Sequence, residues 1–184
     1  MVNRINNTVR FTAEYQKVGS AAPTWQEIRT IVERSEKYVS TGKVTLENAV
    51  PAGGVEIFAD PLIEKVFSNL IDNALRYGGE TITTITFSLK QDGETYTLLC
   101  EDDGGVGGIP ADEKEKIFTY AHGMNTGLGL FLAREILAIT GISIQETGGS
   151  PETEHDSRSS ARQKRSALPA ADRMIRDDNR RPPS

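Results

Sequence analysis

Asn69 and Asn73 stand four residues apart within Leu62 to Tyr77, a stretch whose apolar residues recur at helical spacing. On a helix the pair shares one face, with Arg76 and Tyr77 close by. Two neutral amide oxygens aimed at one spot suit a hard cation such as magnesium, which takes oxygen ligands and keeps waters and phosphate oxygens around it. The same asparagines also read as plain helix-surface residues or caps. A second cluster, Glu101-Asp-Asp-Gly-Gly-Val-Gly-Gly-Ile-Pro110, follows directly on a strand-like run. A carboxylate at a strand end can accept a hydrogen bond from the exocyclic amine of adenine, and glycines let the backbone pass close to a nucleotide. An ordinary acidic turn would look similar. A third cluster, Asn125-Thr-Gly-Leu-Gly-Leu130, leads into an apolar helix. Amides at a helix N-terminus make a phosphate cradle. A simple glycine-rich helix start is the alternative there.

The elements that must position these clusters follow from periodicity. Residues 2 to 17 read as a helix with Val2, Ile5 and Val9 on one face, stopped by Gly19 to Pro23. Trp25 to Val39 contains a second helical pattern. Lys43 to Leu46 and Val55 to Ala59 read as short strands around the turn Pro51-Ala-Gly-Gly54. Asp60 as N-cap and Pro61 in the first turn open the asparagine-bearing helix, which Gly78-Gly79 ends. Leu62, Val66, Leu70 and Leu75 can face a core. Thr81 to Leu89 and Thr95 to Glu101 form a hairpin through Gln91-Asp92-Gly93. A short charged helix from Ala111 to Phe118, an apolar helix from Leu128 to Thr140 and a strand starting at Ile142 complete the pattern. Helices mixed with a hairpin-built sheet make the fold α+β.

The chain as a whole sets bounds on these readings. Its 184 residues suit one domain, and 37% hydrophobic content suffices for a core. A single cysteine rules out an internal disulfide framework and fits a reducing cytoplasm. No apolar run approaches the roughly 20 residues of a membrane span. Residues 1 to 10 lack the apolar stretch of a signal peptide. The net charge of −5 argues against general nucleic-acid binding. Residues 149–184 carry eight Lys/Arg and six Asp/Glu, a net of +2, so the body before them is −7. An acidic body that binds an anionic nucleotide would rely on backbone amides and helix ends.

The order of the three clusters resembles the histidine kinase family of the wider gyrase, chaperone and mismatch-repair ATPase fold. Phe67-Ser-Asn-Leu-Ile-Asp-Asn-Ala-Leu-Arg-Tyr-Gly78 is similar to the family's asparagine box almost residue for residue. Asp102-Asp-Gly104 through Gly107 resembles its first glycine box, Phe118 its phenylalanine box, and Gly127-Leu-Gly-Leu130 its second glycine box. The resemblance covers about Ile28 to Gly148. It implies a two-layer α/β sandwich with a mixed sheet that binds ATP and magnesium. Asn73 would ligate the magnesium, with Asn69 assisting. Arg76 and Tyr77 would line the phosphate and ribose side, and Asp102 would read adenine. Asp103, Gly104, Gly107, Phe118, Thr126 and Leu128 would complete the nucleotide site. Gly127 and Gly129 would let the backbone reach the phosphates, and Ile109 to Thr126 would form a mobile lid. In hydrolytic relatives a glutamate stands at the position of Asn69. An amide cannot act as a general base, which favours phosphoryl transfer, a task of positioning and electrostatics.

The chain departs from the family pattern at three points. Gly105 and Gly108 are extra glycines. The literal D-x-G-x-G match starts at Asp103, whereas strand register favours Asp102 as the adenine contact. The only histidines, His122 and His155, fall in the lid and the tail, so neither is the expected phosphoacceptor. His122 reads as a solvated loop residue or a minor phosphate contact. Cys100 reads as a buried strand residue and Trp25 as packing. The domains are then 1–22, a remnant of the dimerisation hairpin helix and its linker; 23–148, the ATP-binding kinase domain; and 149–184, a disordered or frameshifted tail. The implied function is transfer of the γ-phosphoryl group of ATP to a histidine on another domain or chain, upstream of a response regulator. Two other readings stay open: an ATP-hydrolysing relative, and an inactive fragment that binds ATP weakly or not at all.

The tail lacks sustained periodicity, and the sheet is expected to lack its closing strand there. Plausible codons for Gly149 to Ser159, read two bases later, give Lys-Pro-Gly-Asn-Gly-Ala-Arg-Phe-Glu-Val. That resembles the family's missing turn and strand.

Overall fold

The computed structural model describes residues 11–93, 95–104, 108–120, 128–148, 164–170 and 175–177. Helical turns over residues 11–15 lead to β1 (Thr24–Glu27) and α1 (Ile28–Glu36). Then come β2 (Thr45–Asn48), β3 (Val55–Ala59) and α2 (Ile63–Tyr77). The hairpin strands are β4 (Thr84–Asp92) and β5 (Thr95–Asp102). A 3₁₀ turn (Lys116–Phe118) and α3 (Leu128–Ala138) precede β6 (Gln145–Glu146), β7 (Lys164–Ala170) and β8 (Ile175–Asp177).

A five-stranded sheet runs in the order β2-β4-β5-β7-β6. Its β2–β4 pair is parallel and its other pairs are antiparallel, so the sheet is mixed. A smaller antiparallel sheet has the order β1-β3-β8. The helices share one core with the strands, and this is the expected two-layer sandwich. Ile63, Val66, Phe67, Leu70, Ile71 and Ala74 of α2 are all buried at helical spacing, while Leu62 and Leu75 pack partly buried at its margin. Phe67 meets Phe87 of β4 with ring centroids 5.4 Å apart, joining helix layer to sheet. From α3, Leu132, Ala133, Ile136 and Leu137 enter the same core.

Local chemistry explains where the elements start and stop. Asp60, 1% exposed, accepts hydrogen bonds from the Leu62 amide at 2.8 Å and the Gly19 amide at 3.0 Å. It therefore secures the turn before α2, and the first helical residue is Ile63. At the other end Gly78 keeps a right-handed conformation, and Gly79 takes the positive φ of 78° that breaks the helix. Two expectations shift. Trp25 begins in β1, because it pairs with Phe58, and the helix follows only at Ile28. The charged segment 111–118 forms turns and one 3₁₀ turn, since only Ile117 and Phe118 offer it an apolar anchor.

The tail requires the main correction. β7 lies antiparallel to β5 from Tyr96↔Ala170 to Asp102↔Lys164, in the place expected to lack a closing strand. β8 pairs with β3. Both come from the segment 149–184 that composition marks as disordered. An exposed β5 edge would leave a row of backbone donors and acceptors unpaired, and an extended segment that satisfies them is favoured even with weak patterning. Pro169 hides the strand from a sequence reading. It lies beyond the two residues that β6 pairs, where among the described residues β7 has no further partner on that side, and such an edge tolerates proline.

Candidate functional site

α2 brings its asparagine face against the start of α3. The Asn69 side-chain amide donates to the Gly129 carbonyl at 2.8 Å. A Cβ on Gly129 would stand 3.3 Å from Asn69 Oδ1, a tight contact that the asparagine would have to yield to. Asn73 lies one turn further along the same face, half-buried. Arg76 is exposed and paired with Asp72 at 2.6 Å. That hydrogen bond, backed by the charge of Asp72, holds the guanidinium pKa above its ordinary value. Tyr77 is half-buried at the end of the helix.

The glycine loop after β5 meets the other end of α2. Asp102 closes β5 opposite Ile85 and is 5% exposed. Its Oδ1 accepts from the Gly104 amide at 3.0 Å. A Cβ on Gly104 would meet the Gly78 carbonyl oxygen at 2.2 Å and Gly78 Cα at 2.7 Å. No side chain fits there. Two glycines thus place the loop backbone directly on the end of the asparagine-bearing helix. Asp103 points elsewhere. Its Oδ1 accepts from the amides of Thr83 and Thr84 at 2.8 and 2.9 Å, and its Oδ2 bonds the Thr83 hydroxyl. Burial pulls its pKa upward, but the hydrogen bonds from Thr83 and Thr84 together hold it below the usual carboxylate value.

Phe118, 1% exposed, and Leu128, 7% exposed, are both buried and flank the approach to α3. Cys100 is buried on β5 with its thiol pKa pushed up, by desolvation first and then by Asp102, Glu146 and Glu101. Gly107, Thr126 and Gly127 lie outside the described residues, as does His122. The structure therefore joins Asn69 to Gly129 and sets Gly104, held by Asp102, against Gly78 at the end of the helix that also carries Asn73 and Tyr77. Asp103 and Arg76 are committed to local partners.

Sequence reasoning missed an aromatic cluster on the flank of this region. Phe11 and Tyr15 stack 5.7 Å apart, and Phe131 of α3 lies 6.2 and 6.0 Å from them. Tyr120 meets Phe131 edge-on at 5.5 Å. The periodicity of residues 2 to 17 hinted at an apolar face but not at what it covers.

The donor chemistry suits a magnesium nucleotide. Asn69 and Asn73 supply neutral oxygens, which hard cations accept. Gly104 and Gly129 stand where any Cβ would crowd the backbone or Asn69.

The family model described as "Histidine kinase-, DNA gyrase B-, and HSP90-like ATPase" matches residues 59–165, from the end of β3 into β7. Among curated proteins, the sensor protein kinase PilS of Pseudomonas aeruginosa is 36% identical over 93 residues, covering 46% of this chain and 17% of that protein. The adaptive-response sensory kinase SasA of Crocosphaera subtropica is 30% identical over 122 residues, covering 60% of this chain and 31% of that protein. The chain thus spans less than a third of the length of these relatives. Among solved structures, the mycobacterial sensor histidine kinase MprB superposes with a TM-score of 0.66 at 17% identity, covering 85% of this chain and 99% of that one. The catalytic domain of histidine kinase ThkA, in a nucleotide-free form, gives 0.63 at 18% identity, with 83% and 98% covered. The family match takes in α2, the loop after β5 and α3, the three elements that build the site, and the chain belongs to the histidine kinase-, DNA gyrase B- and HSP90-like ATPase family.

Proposed function

We propose that this domain binds ATP with magnesium where α2, the loop after β5 and the start of α3 meet, and transfers the γ-phosphoryl group to a histidine on another domain or chain. The observation that carries the reading is the joint between Asn69 and Gly129. It links the amide-bearing helix to the glycine-rich start of α3 at 2.8 Å, where amide oxygens and helix-terminal amides lie side by side. In this reading Asp102 accepts a hydrogen bond from the adenine amine, and Tyr77 borders the ribose. Asn73 and Asn69 hold the cation, whose charge would offset that of the phosphates. The backbone at Gly127 and Gly129 approaches the phosphates, and the residues before α3 close over the nucleotide. Arg76 is retained as a phosphate contact that must exchange its Asp72 partner to reach it.

Transfer is favoured over hydrolysis by Asn69. Its amide has no basic lone pair to take a proton from water, and its nitrogen is already donating to Gly129. We assign as partners a histidine-bearing dimerisation domain and a downstream response regulator, and a cytoplasmic setting; the names of the relatives, sensor kinases, support this reading. Among the described residues no helix is long and apolar enough to cross a membrane.

Calorimetry with a non-hydrolysable ATP analogue, with and without magnesium, tests the binding step. Heat only in the presence of magnesium supports it, and no heat at millimolar analogue points to an inactive fragment. Radiolabelled ATP with a separate hairpin domain carrying a cognate histidine tests transfer. Acid-labile phosphate should appear on the hairpin and not on this chain. Steady phosphate release without the hairpin would favour the hydrolytic alternative.

A further inference from the structure

β8 fills one edge of β3 with only three residues, Ile175–Asp177. Its register is Val55↔Asp177, Glu56↔Arg176 and Ile57↔Ile175. Strand alternation sends successive side chains to opposite faces. Ile175 faces inward, 2% exposed, opposite Ile57 at 1%. Arg176 faces outward and forms an ion pair with Glu56 through Nε and Nη2. Its guanidinium carbon also stands 4.5 Å from the ring centroid of Trp25, on β1. One side chain therefore reaches across β3 and touches the strand on its far side. Trp25 is itself braced by Phe58, 5.3 Å away.

A ladder of three residues lies at the short end of the range for strands, so its side chains add a large share of its hold. The two side chains must supply the selectivity. In recognition by strand addition, main-chain hydrogen bonds give affinity and pockets for alternate side chains give specificity. Both parts are present here, an apolar socket for the aliphatic residue and a carboxylate-plus-indole socket for the cation. Arginine suits the second socket because its planar guanidinium can pair with a carboxylate and stack on an aromatic face together, whereas an ammonium is a compact, strongly hydrated charge.

We propose that the outer edge of β3 is a docking site for an extended segment that carries an aliphatic residue followed by arginine, and that the chain's own Ile175–Asp177 is its occupant. The site lies apart from the nucleotide region, to which β3 connects in sequence through Asp60 and α2.

Trp25 is the chain's one tryptophan, so its emission reports on Arg176. In the full chain, Arg176→Ala should shift that emission while leaving the core intact. Ile175→Asp should speed hydrogen exchange of the β3 amides that bond β8 by about tenfold or more. A synthetic peptide, Ala-Ala-Ile-Arg-Asp-Ala-Ala, added to the Ile175→Asp chain should restore the emission and slow the exchange. The same peptide with lysine for arginine should need about tenfold more material. Emission and exchange that stay at wild-type values in both variants would overturn the docking. A peptide that restores neither would overturn it too, since β8 would then be only a fixed strand of the fold.

Discussion

Asp102 and Asp103 are adjacent acids of one type with opposite surroundings. Asp102 is buried at the strand end, with one oxygen bonded to the Gly104 amide. Asp103 is exposed, and both its oxygens bind Thr83 and Thr84. Asp102→Asn should therefore weaken ATP binding by about 1–3 kcal/mol, the cost of leaving a buried donor of the ligand badly paired. Asp103→Asn should affect ATP affinity less and act on stability instead. Its carboxylate pKa is depressed in the folded chain. Its contribution is thus present above the unfolded value of about 4 and is lost as pH falls through the folded value. The wild type should accordingly lose more stability than Asp103→Asn on acidification below about pH 4. Titration calorimetry and urea melts separate the two effects, and a larger affinity loss for Asp103→Asn would move the adenine contact by one residue. Asn73→Ala should abolish magnesium-dependent nucleotide binding, read by the same calorimetry; unchanged affinity would remove Asn73 as the cation ligand. At this scale residue type and order were legible, because amides, acids and glycines have distinct chemistry. What was hidden was commitment to neighbours. The i,i+4 spacing of Asp72 and Arg76 was a signal of their pairing left unread, whereas nothing in the sequence shows that Gly104 needs Gly78 beneath it.

The elements carry these residues through a few joints, and Asp60 is the most exposed to test. It is buried and accepts from two amides, one before α2 and one at Gly19 after the N-terminal helical turns. Asp60→Ala should lower stability by about 1 kcal/mol, because two part-buried amides lose their partner. Chemical denaturation measures this directly. Asp60→Asn keeps one acceptor and should recover part of the loss; equal losses for both variants would show that charge, not acceptance, matters there. The long periodic elements were readable. The apolar stripe of α2 and the hairpin β4–β5 fell close to their expected limits, since period and turn chemistry agree there. The segment 111–118 misled, because charged residues with good helix propensity still need an apolar face to pack, and this one has only its last two residues. β6 came out as only two residues, Gln145–Glu146, since its length depends on where β7 lies.

For the molecule as a whole, the sheet closes with a strand that its own sequence does not advertise. β5 needs a partner on its open edge, and edges accept whatever extended segment reaches them. β7 therefore says little about whether residues 149–184 are the segment this fold was shaped around. The hypothesis of a frame shift near Gly149 rests on a separate observation. Regular patterning stops there, and the shifted bases can spell Lys-Pro-Gly-Asn-Gly-Ala-Arg-Phe-Glu-Val. Codon degeneracy allows that string without requiring it, so the nucleotide sequence is one test: a shifted frame that does not encode Gly-Ala-Arg-Phe followed by an alternating strand ends the idea. A protein-level test stands beside it. β7 meets β5 through a segment in which Pro169 stands opposite Thr97. A chain rebuilt from Gly149 with the shifted segment replaces that strand by one whose apolar and polar residues alternate, so that one face can be buried against the core. It should be more stable by about 1 kcal/mol or more, the worth of one further buried apolar side chain, and the β5 amides from Tyr96 to Cys100 should exchange more slowly. If the rebuilt chain melts lower, or β5 exchanges as before, then Lys164–Ala170 is the better partner for β5 and the tail is the closing segment this sheet was built to take.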